Sequence, residues 1–134
     1  MKSVRNLLVA MVLLLVPTLI FANDAIDSPR GAEITFTTKV IDLGRLSRED
    51  DKQVVRLAFT NTGDVPLIVN QVRTSCTCVT VRCDDRKVLP GDSGTMVITF
   101  DPSKAPEGSL YRVLQVDTTA RGGVQHITLT AEIE

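Results

Sequence analysis

From Glu33 onward the chain breaks into short runs in which apolar and polar residues alternate, separated by Gly, Pro, Asn and Asp. Val55, Leu57 and Phe59 alternate with Arg56, Ala58 and Thr60; later Met96, Ile98 and Phe100 alternate with Thr95, Val97 and Thr99. A period of two places one set of side chains on a core face, the signature of a half-buried strand. The pattern predicts seven strands, at about Glu33–Thr38, Lys52–Thr60, Leu67–Val72, Cys76–Arg82, Thr95–Phe100, Leu110–Thr118 and Gln125–Ile133. Between them lie turn residues that supply positive φ, fixed φ or local side-chain bonding, as in Asn61-Thr62-Gly63-Asp64, Pro90-Gly91-Asp92, Asp101-Pro102 and Arg121-Gly122-Gly123.

No segment carries a 3.6-residue stripe, so crossover helices and a parallel sheet are not expected. Seven antiparallel strands in about 100 residues fit an all-β, immunoglobulin-like antiparallel β-sandwich. A small closed barrel is the competing architecture, because strand patterning alone does not fix how sheets close. The chain has no Trp, hence no Cys…Trp…Cys spacing, and an antibody-type core is excluded.

The N-terminus reads differently. Lys2 and Arg5 precede an apolar run from Leu7 to Val16, then Pro17 and Phe21-Ala22, the order of an export signal. The run is shorter than the roughly 20 residues of a bilayer span, which favours a cleaved signal over an anchor. Cleavage is expected after Ala22, although Ile20 occupies a position where a small residue is usual, and no cysteine follows that would carry a lipid. Residues 1–22 are thus read as signal, the polar 23–31 as a flexible lead-in and 32–134 as the sandwich domain, in an exported, periplasmic or envelope-associated protein. Removing 22 residues from 134 leaves 112, the size of one domain.

Composition narrows the function. Of 15 basic and 16 acidic residues the signal removes two basic ones, leaving a net charge of −3. With no Lys/Arg cluster and no interleaved aromatics, neither nucleic acid nor an anionic membrane is an expected partner.

Six short strings stand in a fixed order: Ile41-Asp42-Leu43-Gly44-Arg45-Leu46, Phe59-Thr60-Asn61-Thr62-Gly63-Asp64, Pro66-Leu67-Ile68-Val69, Ser75-Cys76-Thr77-Cys78, Pro90-Gly91-Asp92-Ser93-Gly94 and Thr99-Phe100-Asp101. Together they resemble the bacterial domain-of-unknown-function family fifteen-seventy-three, over about Ile41 to Ile133. The resemblance implies an exported immunoglobulin-like sandwich related in shape to major-sperm-protein-like modules, and it implies no activity. Thr77 stands where the family usually has Gly, and Cys83 is additional to the usual pair.

Cys76, Cys78 and Cys83 are the one chemically unusual cluster, and their odd number leaves at least one thiol without an intramolecular partner. On one extended strand Cys76 and Cys78 would share a face with Cα atoms about 6.6 Å apart, near the upper limit for a disulfide, and Cys78 and Cys83 would stand roughly 16 Å apart. Three readings are open: small structural side chains or a local bridge, a thiolate site for a soft metal or redox partner, and an intermolecular bridge through Cys83. Structural zinc would require a fourth ligand, and the lone His126 lies on a distant strand.

Other chemistry is thin. With a single His, a nucleophilic triad could only be built on His126, and no nucleophile-elbow pattern accompanies any Ser. Glu49-Asp50-Asp51 and Asp84-Asp85 lie beside Arg48, Lys52, Arg86 and Lys87, the mixed-sign pattern of solvated turns rather than of calcium or glycosidase carboxylates. Asn61-Thr62-Gly63 fails the glycosylation pattern at its third residue, and Gly91 and Gly94 lack the lysine and helix start of a phosphate loop. The expectation is a non-enzymatic binding or structural module without a cofactor, whose partner is a protein engaged through loops at one end of the sandwich or through an open sheet edge. The alternatives are a thiol-based metal or redox module on Cys76 and Cys78, with Cys83, and a hydrolase.

Overall fold

The computed structural model describes residues 30–134, so the expected signal and most of the lead-in lie outside the described residues. Among the described residues nine strands form two sheets: β1 (Ile34–Phe36), β2 (Val40–Leu46), β3 (Gln53–Asn61), β4 (Leu67–Arg73), β5 (Val79–Cys83), β6 (Lys87–Val88), β7 (Ser93–Phe100), β8 (Gly108–Thr118) and β9 (Val124–Ile133). A 3₁₀ turn, Pro102–Lys104, follows β7, capped by the Asp101 carboxylate accepting from the Ser103 amide. One sheet runs β1-β3-β7-β5, the other β2-β9-β8-β4-β6. Among the described residues no helix is long and apolar enough to cross a membrane.

The immunoglobulin-like sandwich expected from the alternation is what the chain adopts, with each of the seven expected runs forming a strand. Leu57 and Phe59 of β3, Met96, Ile98 and Phe100 of β7, Leu114 and Val116 of β8 and Ile127 and Leu129 of β9 are buried and fill the space between the sheets. Each such side chain contributes about 1.5–3 kcal/mol by leaving water. The Phe36 and Phe59 rings meet tilted, with centroids 6.1 Å apart.

Three expectations are corrected. First, there are nine strands, because β2 and the two-residue β6 escaped the pattern. The alternation of β2 breaks at a register shift between Asp42 and Arg45, where Gly44 has φ +70°, so its inward residues Ile41, Leu43 and Leu46 are unevenly spaced. Second, the sandwich is not wholly antiparallel: β2 pairs parallel to β9. The N-terminal segment changes sheets, its hand-over marked by the Thr37 amide donating to Ala58 O in one sheet and the Thr128 amide donating to Lys39 O in the other. A segment crossing between sheet edges needs no helix to run parallel to its new neighbour. Third, the strand expected at Cys76–Arg82 begins only at Val79.

Buried polar groups tie the turns. Asn61 is fully buried; its Nδ2 donates to Val65 O (2.8 Å) and Val88 O (3.0 Å), and its Oδ1 accepts from the Gly63 amide (3.0 Å). One side chain thus fastens the β3–β4 turn to β6, satisfying carbonyls that would otherwise be orphaned in the core.

Candidate binding edge and cysteine turn

The crossing from β4 to β5 carries the cysteine pair. Residues 74–78 turn rather than extend: the Val79 amide donates to Cys76 O (3.3 Å), and the Thr74 hydroxyl donates to Cys76 O (3.2 Å) and lies 3.4 Å from Val79 O. The turn brings the Cys76 and Cys78 Cα atoms to 5.1 Å, inside the usual disulfide range, and the two are bonded. Cys78 is 1% exposed, its carbonyl accepting from the Asp101 amide (2.8 Å), while Cys76 is half-buried. The extended geometry assumed for the pair is therefore replaced by a bridged turn between the sheets.

Cys83 is not brought to them. It ends β5, opposite Met96, about 13 Å of strand from Val79. Its thiol is half-buried and donates to Asp85 O (3.6 Å). Burial, reinforced by the Asp85 carboxylate, pushes its pKa above the ordinary thiol value. Among the described residues no three His, Cys, Asp or Glu side chains converge as metal ligands.

The remaining candidates are dispersed. His126 is exposed on β9 opposite Gln115. Asp50 accepts from the Ser47 amide (2.8 Å), Asp84 pairs with Arg82 (3.3 Å) and Asp85 accepts from the Thr95 amide (3.3 Å), so these carboxylates hold turns. Gly63 lies in the turn after Asn61, and Gly91 has φ +83° in the turn before β7.

Sequence patterning did not show the edge between β4 and β5. Among the described residues β5 hydrogen-bonds to β7 alone, and β4 extends past β6 after Ile68, leaving an open seam between the sheets on this side. A recess of about 140 Å³ opens there among Val69, Gln71, Val72, Val81, Cys83 and Arg86. Val72, Val81 and Cys83 are only partly buried, packed against the core from this side. The signal for it is faint in sequence: a β-rich Val79-Thr80-Val81 run with no Pro or Gly to protect an edge.

Solved structures share the architecture. A protein of unknown function from Porphyromonas gingivalis W83 is 19% identical with a TM-score of 0.69, the match covering 83% of this chain and 51% of that one. This chain therefore spans about half the length of that protein. The human CEP192 ASH/PapD-like domain 7 is 12% identical (TM-score 0.61; 80% and 89% covered), and the periplasmic chaperone SfaE is 14% identical (TM-score 0.54; 75% and 58% covered). At such identities the likeness is one of fold. No curated protein matches the chain in sequence. The ordered motifs, the sandwich that carries them and a family-model match over residues 34–133 agree: the chain belongs to the family described as "Protein of unknown function (DUF1573)".

Proposed function

We propose that this protein is an exported, non-enzymatic binding module of the cell envelope that recognises another protein through an open sheet edge. The observation that carries the reading is β5, five residues long and unpaired on one side among the described residues, beside the half-exposed apolar residues of the β4–β5 seam. Unpaired strand edges accept extended segments from partners, with main-chain hydrogen bonds giving affinity and alternate side chains giving specificity. Chaperones among the solved structures of like fold, among them the periplasmic chaperone SfaE, support a protein partner and an envelope setting. Residues 1–22 supply the export signal in this reading, and no cofactor is required.

Cys76 and Cys78 act as a structural bridge across the turn, and Cys83 as a small side chain of the seam. The alternative, a thiol redox or metal module on the pair, draws on the half-buried Cys76, the more exposed of the two residues.

A photo-crosslinking residue at Thr80, on exposed β5, tests the reading in intact envelopes. The expected result is a discrete adduct with the same identified protein in repeated preparations. No protein adduct from Thr80, or from matched positions on the other edges, together with direct binding of soluble glycans, would overturn it.

A further inference from the structure

We infer that the segment recognised is added to β5 as an antiparallel strand in which apolar residues alternate with carboxylates. This rests on the reading of the chain as a protein-binding module and names the chemistry of its partner.

Four strands end the two sheets: β1, β5, β2 and β6. β1 has three residues and β6 two, too short to template a stable ladder. β2 is long enough, but its ladder is interrupted between Asp42 and Arg45 by Gly44 at φ +70°, a bulge of the kind that protects an edge. β5 has none of these defences. All five residues pair with β7 without a register shift, and Val79-Thr80-Val81-Arg82-Cys83 contains no Gly, Pro or Lys.

The backbone of β5 is also correctly oriented. Cys78 O accepts from the Asp101 amide, and 78 and 101 continue the register that pairs Thr80 with Thr99 and Arg82 with Val97. In an antiparallel ladder the even-numbered residues therefore direct their N–H and C=O groups to β7, and Val81 and Cys83 direct theirs to the open side. A strand added there meets ready donors and acceptors.

Side chains set the composition. Inward-facing residues of an added strand lie beside Val81 and Cys83, over the recess that Val69, Gln71 and Val72 bound from β4, so aliphatic groups belong against Val81, Cys83 and Val72. On the outward face Arg56 and Arg82 flank Val97 in one row across β3, β7 and β5. The new strand extends that row by one residue next to Arg82, with Cβ atoms about 5 Å apart. Arg86 lies at the rim of the recess, its guanidinium donating to Asn70 O (3.5 Å), and is not part of this outward row. Arg82 shares only Asp84, at 3.3 Å and largely exposed to solvent, and Arg56 has no carboxylate within ion-pair distance among the described residues. Carboxylates at the outward positions complement this row, and ammonium groups oppose it. Because successive residues of a strand face opposite ways, the two demands combine into an alternating acidic–apolar segment.

The test uses isotope-labelled protein and two nine-residue probe peptides, one alternating glutamate with valine and one alternating lysine with valine, with amide exchange read residue by residue. The glutamate peptide is expected to slow exchange at Val81 and Cys83 at least tenfold and to bind at least tenfold more tightly than the lysine peptide. Arg82→Gln should shrink that preference and Arg82→Glu reverse it; residue 82 is exposed, so both variants should fold. Equal affinity for the two peptides, protection appearing on β2 instead, or no protection at Val81 and Cys83 would overturn the inference. If the partner captured by crosslinking binds while those two amides stay unprotected, the inference falls and protein binding stands. If no edge position captures a protein and soluble glycans bind directly, the broader reading falls.

Discussion

Gly94 lies opposite Phe59 across the β3–β7 ladder, so close that a Cβ at position 94 would stand 2.5 Å from the ring's Cζ and 3.0 Å from Cε1. Phe59 is fully buried and cannot swing aside. Gly94→Ala is therefore expected to destabilise the fold by about 1–3 kcal/mol through overpacking. Denaturant unfolding reads this directly, and a midpoint equal to wild type would show that the ring relocates freely.

Asn61 gives a second stability prediction. Asn61→Ala would strand the Val65 and Val88 carbonyls and the Gly63 amide, and the expected loss is about 2–4 kcal/mol. Asn61→Asp should be comparably harmful, since a carboxylate cannot donate to the two carbonyls. Thermal unfolding of both variants checks the point; a mild effect of the aspartate would mean that Nδ2 is not the anchor.

The Cys76–Cys78 bridge closes only a three-residue loop. Chain entropy then limits its contribution to about 1.5 kcal/mol, so Cys76→Ser/Cys78→Ser should remain folded with Tm lowered by about 6–12 °C. Complete unfolding of the double variant at room temperature would show that the bridge does more than pin a turn.

Cys83 carries the pH prediction. Burial and Asp85 raise its folded-state pKa, so the folded chain keeps a proton that the unfolded chain releases near 9.0, the ordinary thiol value. Stability should be insensitive to this group below pH 9 and should fall as pH rises from there through the folded pKa. A Cys83→Ala variant should lose that slope, and alkylation of native Cys83 at pH 8 should be slower than that of a free model thiol. Faster alkylation than the model thiol would indicate an activated nucleophile and contradict the environment described.

Much of this architecture was legible along the chain because period-two alternation depends on each strand having one inner face. β3 and β7 meet that condition along their whole length. β2 does not, since an extra residue at Gly44 breaks the spacing of its inward side chains Ile41, Leu43 and Leu46, and its parallel pairing to β9 follows from a sheet change that no local signal encodes. The cysteine cluster was visible by composition, but its geometry was not. Treating Cys76 to Arg82 as extended overlooked Thr74 and the Cys76 carbonyl, which close a turn around the pair. The open β5 edge was the least legible feature, because an edge is defined by which strand fails to pair, a product of contacts distant in sequence.

Native mass spectrometry of the protein recovered from the envelope without reductant, repeated after denaturing alkylation, tests most directly whether the cysteines build a scaffold for recognition. The account predicts one intramolecular disulfide, one alkylatable thiol, no retained metal and a noncovalent complex with a protein. Three alkylatable thiols with stoichiometric metal that is lost from Cys76→Ser/Cys78→Ser would contradict it and make the cysteine turn itself the functional centre.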